Sequence, residues 1–305
     1  MSVTIAIVTK DRPEILSDTL DRLDEFDLCE HTLVVDGSKD MNQSATALVC
    51  KANGVDYYPQ EFEGGRAAAR NEALELCNTD YIAYIDDDTL VSRLWYESIE
   101  HWFEHTEVVG VTGGLKGESL EFSGIAGKIR EFLFGGRDRF GEVLDNGVIN
   151  GDFFYNEIKN VDHMPGCNMA FDVETLRNVG GFDADYDVGN AYREETGPAY
   201  RVSAIGRIVY DPLASVNHLG IDEEGDVEQY MFYSPYLTRY CLRRNGVVSG
   251  VRNRCSYLLN TLARHSYFGA RSLAGRNTNY LYYLRGEIHS FIDFTLLDRT
   301  PREHV

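Results

Sequence analysis

Short apolar runs and amphipathic helical segments alternate along the first part of the chain, and this alternation restricts the fold more than any other feature. Buried strands are predicted at 3–8, 32–35, 55–58, 81–85 and 108–112, with helical patterns between them. Alternation of this kind folds into right-handed strand–helix–strand units. The sequence therefore predicts an α/β fold with a doubly wound, mostly parallel central sheet and helices on both faces.

The pattern changes further along the chain. Residues 115–163 are less regular, with a helix predicted over 125–134, and strands are predicted at 164–171 and on both sides of Asp211-Pro212. The last 80 residues read as helices rich in tyrosine, leucine and arginine. They carry 11 arginines against six acidic residues, whereas the preceding part is strongly acidic. This shift in charge predicts a domain over 1–225 and a C-terminal helical appendage over 226–305.

The composition narrows the cellular setting. The net charge is −20, and only six residues are lysine. An acidic surface poor in lysine is typical of proteins from salt-loving archaea, whose KCl-rich cytoplasm screens self-repulsion; an ordinary acidic protein is the alternative. The acidic body disfavours nucleic-acid binding, which depends on attraction to phosphates. No apolar run reaches the roughly 18 residues of a membrane span, no signal peptide is evident, and the six cysteines lack metal-site spacing. We therefore expect a cytoplasmic protein with reduced cysteines.

Three consecutive carboxylates follow the fourth predicted strand. The apolar run 81–85 ends in Asp86, Asp87 and Asp88. Clustered carboxylate oxygens suit Mg²⁺ or Mn²⁺ held together with the phosphates of a substrate. The alternative is a solvated acidic turn. In parallel sheets ligands bind beyond the carboxyl ends of the strands, where Asp36 also falls.

Several motifs in this order resemble family 2 glycosyltransferases of the GT-A fold. The resemblance covers roughly residues 3–220. It rests on the segments Thr9-Lys10-Asp11-Arg12-Pro13, Asp36-Gly37-Ser38-Lys39-Asp40, Gly65-Arg66 through Arg70-Asn71, Asp86-Asp87-Asp88, Gly180-Gly181-Phe182-Asp183, Glu194-Glu195 and His218. Each motif alone is weak, but their order and spacing together are fairly specific.

The resemblance implies a donor side built around the nucleotide. Asp36 would accept a hydrogen bond from the base, which favours a donor such as uracil N3–H. Thr9 and Asp11 would contact the base or ribose. Arg66 and Arg70 lie four residues apart on one helical face, so both could reach the diphosphate.

The resemblance also implies a metal site and a catalytic base. Asp88 would be the direct metal ligand, and His218 would complete the site; the alternative for His218 is a structural role. Asp86 or Asp87 would face the ribose or the metal.

One acid of the Glu194-Glu195 pair would deprotonate the acceptor hydroxyl, with Glu195 favoured by the alignment of the motif. In the same family Asn168 would line the acceptor side.

These roles predict an inverting, non-processive hexosyltransferase that depends on Mg²⁺ or Mn²⁺ and uses a nucleoside diphosphate sugar, with UDP-sugars favoured. The Q-x-x-R-W pattern of processive members is absent from the sequence. The implied setting is surface or protein-linked glycan assembly, with an acceptor carried on a lipid such as dolichol phosphate. Two alternatives are a sugar-phosphate nucleotidyltransferase, disfavoured because 9–15 lacks glycine, and a degenerate protein that binds nucleotide or glycan without turnover.

The C-terminal region offers a candidate membrane contact. Aromatic residues and arginines together suit anionic headgroups and lipid-linked phosphates, so peripheral attachment at the cytoplasmic face of the membrane is predicted. The alternative is a helical appendage packed on the catalytic domain or on a second subunit. The residues proposed for the contact are Tyr230, Phe232, Tyr233, Tyr236, Arg239, Tyr240, Arg243 and Arg244.

Overall fold

A computed structural model describes residues 2–116, 128–129, 131, 133–220, 227–273, 275 and 279–304. Within these residues nine strands form one sheet. The strands are β1 (Val3–Thr9), β2 (Thr32–Asp36), β3 (Asp56–Pro59), β4 (Tyr81–Asp86), β5 (Thr89–Val91), β6 (Val108–Leu115), β7 (Lys159–Val161), β8 (Met169–Asp172) and β9 (Arg207–His218). The helix predicted over 125–134 lies largely outside the described residues.

The order of the strands brings several strand ends together. The sheet runs β3-β2-β1-β4-β8-β6-β9-β5, and β7 pairs with β9. The pairs β3–β2, β2–β1, β1–β4 and β6–β9 are parallel, whereas β5, β7 and β8 run in the opposite direction. Thr9 is opposite Asp36, and Val8 is opposite Asp86. The carboxyl ends of β1, β2 and β4 therefore form one edge, as the sequence predicted.

Helices lie around the sheet. They are α1 (Pro13–Asp24), α2 (Asp40–Ala52), α3 (Arg66–Leu76), α4 (Trp95–Phe103), α5 (Val173–Asn178), α6 (Thr196–Ser203), α7 (Val227–Arg244), α8 (Gly250–Leu273) and α9 (Tyr280–Phe291). Side chains that alternate along β1 supply both apolar layers. Ile5 and Ile7 pack in one core with Leu16, whereas Ala6 packs in the other with Tyr84. The predicted α/β fold with helices on both faces is confirmed.

Two strand predictions in the second half are corrected. The strand predicted over 164–171 begins only at Met169, because the Asn168 amide donates to the Pro165 carbonyl in a turn. The two strands predicted around Asp211-Pro212 are one strand, β9. Pro212 has no N–H group to donate to the sheet. The pairing of β9 with β6 shifts in register beside this proline, and the shift allows the strand to continue past it.

The C-terminal helices pack against the first part of the chain. Tyr236 and Leu237 of α7 are fully buried and share an apolar core with Tyr186 and Val188. The Tyr240 hydroxyl donates to the carboxylates of Asp183 and Asp185 at 3.1 Å. The boundary predicted between 1–225 and 226–305 falls outside the described residues, and that division stays a prediction. No described helix is both long enough and apolar enough to cross a membrane.

The predicted aromatic contact surface on α7 is thus partly buried. Tyr236 is 0% exposed and Tyr240 is 6% exposed, because both rings pack with Phe294 in this core. Arg239 pairs with Glu287 of α9 at 2.9 Å. Tyr236 and Tyr240 therefore cannot form a membrane contact, and this part of the prediction is wrong.

Candidate active site

The three consecutive aspartates lie in a turn that the sheet brings close to His218. Asp86 ends β4 and β5 begins at Thr89, so the three residues form the turn between two strands. β5 pairs antiparallel with β9, which places His218 opposite Thr89. The Leu219 amide also donates to the Asp88 carbonyl at 3.0 Å. Sheet pairing therefore brings a histidine beside an acidic turn 130 positions earlier in the chain.

Asp86, Asp88 and His218 form a cluster that suits a divalent cation. One ligand atom from each residue can be chosen so that all three lie within 4.8 Å of one another. The His218 Nε2 atom lies 3.1 Å from Asp88 Oδ1 and 3.9 Å from Asp86 Oδ2. Two carboxylates and one imidazole fit Mn²⁺ or Mg²⁺ with open positions for phosphate oxygens. The structure thus brings together all three residues of the predicted metal site.

The charges around Asp86 keep it ionised. Burial acts to raise the pKa of Asp86, but Arg70, Arg66 and His218 hold that pKa below its usual range. A carboxylate that stays ionised is available as a metal ligand throughout the neutral range.

Asp87 faces away from this cluster. Its side chain is fully buried, accepts a hydrogen bond from the Thr9 hydroxyl at 2.5 Å and forms an ion pair with Arg12. Burial raises the pKa of Asp87 to about 6, against the lowering effects of Thr9 and Arg12. The side chains of Thr9 and Asp87 are thus bonded to each other, and their contacts with the donor stay a prediction.

Arg70 lies beneath the site as well. It is 1% exposed and forms an ion pair with Glu194, donates to Asp86 at 3.0 Å and to the Gly166 carbonyl at 2.9 Å. The predicted contact of Arg70 with the diphosphate is therefore corrected: the carboxylates of Glu194 and Asp86 and the Gly166 carbonyl occupy its guanidinium. Arg66, at the first position of α3, is exposed and remains available for phosphate.

The two neighbouring glutamates have different surroundings. Glu194 is 1% exposed and bound by Arg70; burial raises its pKa, and Arg70 offsets part of that rise. Glu195 is half-buried and accepts a hydrogen bond from the Thr196 hydroxyl at 3.2 Å. Glu195 thus has an accessible carboxylate. Its neighbour Glu194 is linked to the metal cluster, because Arg70 binds both Glu194 and Asp86.

Asp36 lies at the end of β2, and Asp11 lies just after the end of β1. Asp36 is buried, and its oxygens accept from the Ser38 amide at 2.8 Å and the Tyr57 hydroxyl at 3.1 Å. Asp11 is exposed and accepts from the Asn42 side chain at 3.1 Å. Both residues are at the edge where the nucleotide is predicted to bind, and their contacts with it stay a prediction.

Asn168 does not face this site. Its side chain is 1% exposed, accepts from the Trp95 indole at 2.9 Å and donates to the Ala214 carbonyl at 2.8 Å. Both ends of the amide are satisfied between α4 and β9, so the predicted acceptor-side role of Asn168 is replaced by a structural one.

Two residues that the sequence did not single out organise the site. Arg12 pairs with Asp87 and approaches Asp88 to 3.9 Å. Asp187 accepts from the amides of Gly65, Ala67 and Ala68 at 2.8, 2.8 and 3.2 Å, and so ties the loop before Glu195 to the start of α3. Arg12 belongs to the motif that follows the first strand, and its place in that motif could have marked it as a site residue. Asp187 lies in a loop with many acids and no periodic pattern, so nothing marked it.

The comparisons with known proteins agree with this geometry. The profile described as glycosyl transferase family 2 matches residues 4–178. Pre-mycofactocin glycosyltransferase of Mycobacterium tuberculosis is 27% identical over 161 residues, covering 50% of this chain and 30% of that protein. Beta-1,4 N-acetylgalactosaminyltransferase 2 of Mus musculus is 31% identical over 193 residues, covering 59% and 33%. The chain thus spans about a third of the length of these curated relatives.

Solved structures share the fold over most of the chain. Mannosyltransferase PcManGT from Pyrobaculum calidifontis, in complex with GDP-Man and Mn²⁺, has a TM-score of 0.54 at 16% identity and covers 95% of this chain and 86% of its own. S. aureus TarS 1-349, in complex with UDP-GlcNAc, has a TM-score of 0.56 at 12% identity and covers 96% and 81%. At these identities the likeness shows the fold alone.

Proposed function

Because the chain belongs to glycosyl transferase family 2, we propose that it is an inverting, metal-dependent hexosyltransferase that moves one sugar per encounter from a nucleoside diphosphate sugar to an acceptor hydroxyl. The observation that carries this proposal is the cluster of Asp86, Asp88 and His218, joined through Arg70 to the Glu194-Glu195 pair. A metal site and an accessible carboxylate side by side are what a displacement at a sugar phosphate requires.

Each residue has a role in this displacement. Asp36 and Asp11 hold the base and ribose at the ends of β1 and β2, and Arg66 binds the diphosphate with its guanidinium fork. Asp86, Asp88 and His218 would hold Mg²⁺ or Mn²⁺, which when bound neutralises charge on the departing diphosphate.

Glu195 takes the proton of the acceptor hydroxyl as its oxygen attacks the anomeric carbon from the face opposite the leaving group. The C–O bond to the acceptor forms while the bond to the phosphate oxygen breaks, so the anomeric configuration inverts.

The neighbours support the choice of donor class. The solved neighbours include a mannosyltransferase with GDP-Man and Mn²⁺ and glucosyl-3-phosphoglycerate synthase of Mycobacterium tuberculosis with Mg²⁺ and UDP. By analogy this chain takes a nucleotide sugar, and we favour UDP-sugars, whose uracil N3–H can donate to Asp36. A nucleotidyltransferase is disfavoured, since the turn between β1 and α1 has no glycine to hold a triphosphate.

We further propose surface or protein-linked glycan assembly as the setting, with a lipid-carried acceptor. An exposed face of α8 supports contact with an anionic membrane. Apolar side chains recur along one side of this helix; Val251 is 81% exposed, Leu258 57%, Leu259 63% and Leu262 54%. The helix carries four arginines and no acidic residue, in a chain of net charge −20. Exposed apolar side chains and arginines on one helix complement anionic headgroups.

Release of nucleoside diphosphate from a panel of nucleotide sugars tests the proposed reaction. We expect release from one donor in molar KCl with Mn²⁺ or Mg²⁺, and its loss with EDTA, because the diphosphate leaves only when its charge is neutralised. Separation of products by chromatography identifies the transferred sugar. Metal-dependent binding of UDP or GDP without release, in folded protein and with acceptors present, would favour a protein that binds without turnover.

Replacing Leu258 and Leu259 together by aspartate tests the membrane face. We expect sedimentation with vesicles of anionic lipid to fall by about 100-fold or more, since each buried leucine contributes roughly 1.5–3 kcal/mol. Ile205→Asp is the matched control, because Ile205 is 59% exposed in the turn after α6. Equal sedimentation of wild type and double variant would remove this face from membrane contact. A change from dimer to monomer in light scattering would assign the face to a second copy instead.

A further inference from the structure

Arg193 has an unusual environment for an arginine in so acidic a chain. It lies in the turn just before α6, two residues from Glu195, with a left-handed backbone at φ 69°. Its Nε atom is buried and has no hydrogen-bond partner. Among the residues that the structure describes, no carboxylate lies within 4.0 Å of its guanidinium. Glu195 attracts it electrostatically but lies beyond that distance.

Three other enclosed arginines have partners for their terminal nitrogens, although within the described part of the chain the Nε atoms of Arg70, Arg239 and also Arg264 lack a hydrogen-bond partner as that of Arg193 does. Arg70 is paired with Glu194 and Asp86, and Arg239 with Glu287. Arg201 donates to the carbonyls of Val179 and Gly181 and to the Asn245 side chain. Arg193 is half-buried and has no such partners among the described residues, and burying part of a charged group without a partner costs free energy unless a ligand binds it. Arg193 therefore points to an anion that is supplied from outside the chain.

The surroundings of Arg193 leave room for such an anion. Its guanidinium stacks 4.8 Å from the centre of the Tyr192 ring, and Tyr192 lies edge-on to Tyr230 at 5.6 Å. Gly151 is also close, because a Cβ atom added there would lie 4.0 Å from the Arg193 Nη1 atom. The missing side chain at 151 leaves this flank of the guanidinium open.

The neighbouring histidine adds no positive charge to that of Arg193. His163 is 1% exposed, and its Nε2 atom lies 3.0 Å from the Asn150 carbonyl oxygen. Burial, and after it Arg193, lowers the pKa of His163 to about 3, so the imidazole is neutral at physiological pH. Of these two neighbouring side chains, only Arg193 is charged.

We propose that Arg193 binds a phosphate group of the acceptor, next to the hydroxyl that Glu195 deprotonates. This inference rests on the proposed function and adds the chemical class of its acceptor. Planar guanidinium groups bind phosphate through two parallel hydrogen bonds. The same charge would offset the repulsion between an anionic acceptor and the carboxylates of Glu195 and Asp86. Both a soluble sugar phosphate and a lipid-linked phosphate carry the required group.

Acceptors that differ only in their phosphate test the proposal. We would compare hexoses with their phosphates, and isoprenols with isoprenyl phosphates, in wild type and in Arg193→Gln. The measured quantity is the ratio of kcat/KM for the phosphorylated acceptor to that for the unphosphorylated one. We expect this ratio to fall by about 10- to 100-fold in Arg193→Gln, the range for a charge-assisted hydrogen bond, and Arg193→Lys to recover part of it. Preference for hexose phosphates or isoprenyl phosphates in the wild type identifies the source of the phosphate.

A second pair of variants leaves Arg193 in place. Gly151→Asp would supply a carboxylate beside the guanidinium and compete with the phosphate, whereas Gly151→Asn has the same shape without the charge. We expect only the aspartate variant to lower the ratio, while thermal unfolding shows both to be folded. An unchanged ratio in Arg193→Gln, or an equal loss for both members of every acceptor pair, would overturn the proposal. Wild-type release of nucleoside diphosphate, measured separately, reports on the proposed function itself.

Discussion

Glu195→Gln is expected to lower the rate of sugar transfer by about 10²- to 10⁴-fold, the range that a general base contributes. The amide has nearly the shape of the carboxylate but cannot take the acceptor proton. Binding of the nucleoside diphosphate should remain, because Glu195 contributes nothing to the metal cluster or to the predicted base contacts. The measurements are single-turnover transfer and metal-dependent binding of the diphosphate, made on the same protein sample.

The structure explains why Glu195 rather than Glu194 is expected to be the base. Glu194 is 1% exposed and its carboxylate is bound by Arg70. An acceptor hydroxyl cannot reach it without breaking a buried ion pair. Glu195 follows directly, is half-buried and bonds only to the hydroxyl of its own neighbour, Thr196, among the described contacts.

Glu194→Gln is the informative control for this prediction. Removing one member of a buried ion pair costs roughly 3–5 kcal/mol of stability, and Arg70 would keep only Asp86 as a charged partner. We therefore expect Glu194→Gln to lower the unfolding temperature much more than Glu195→Gln does. If Glu195→Gln retained transfer while a folded Glu194→Gln lost it, the assignment of the base would be reversed.

The sequence was most informative where function depends on residues at strand ends. Hydrophobic runs located β1, β2 and β4, and parallel pairing then required Asp36 and Asp86 to share one edge. His218 was also predicted correctly as a neighbour of Asp88. That contact depends on the pairing of β5 with β9, which periodicity alone does not reveal, and it came from the order of motifs.

The sequence was least informative about the direction in which a side chain points. Three consecutive aspartates look equivalent in sequence, but the turn after β4 directs Asp87 towards Thr9 and Arg12 and the other two towards His218. Arg70 shares a helical face with Arg66, but its ion pair with Glu194 is made across 124 positions. A long-range pair of this kind depends on how the loop of Asp187 packs on α3, and local patterns do not encode that.

Asp88→Asn is expected to remove metal-dependent turnover. A metal ion contributes several kcal/mol to charge neutralisation in the transition state, and each 1.36 kcal/mol is a factor of ten in rate. We therefore expect a loss of roughly 10³-fold in release of nucleoside diphosphate. The affinity for Mn²⁺, measured by electron paramagnetic resonance with UDP present, should fall in parallel, because an amide oxygen carries no charge for the ion.

Asp87→Asn is the control for Asp88→Asn, because it removes a negative charge from the same turn without removing a proposed metal ligand. Both substitutions remove one carboxyl group from the same turn, but Asp87 is fully buried and faces Thr9 and Arg12. If proximity to the cation alone mattered, both variants would weaken Mn²⁺ binding equally. The orientation of the two side chains predicts a large loss of Mn²⁺ affinity for Asp88→Asn and a much smaller one for Asp87→Asn, whose main effect should be on stability. Unchanged Mn²⁺ affinity and turnover in Asp88→Asn would exclude Asp88 from the metal site, and with it the cluster on which the proposed reaction depends.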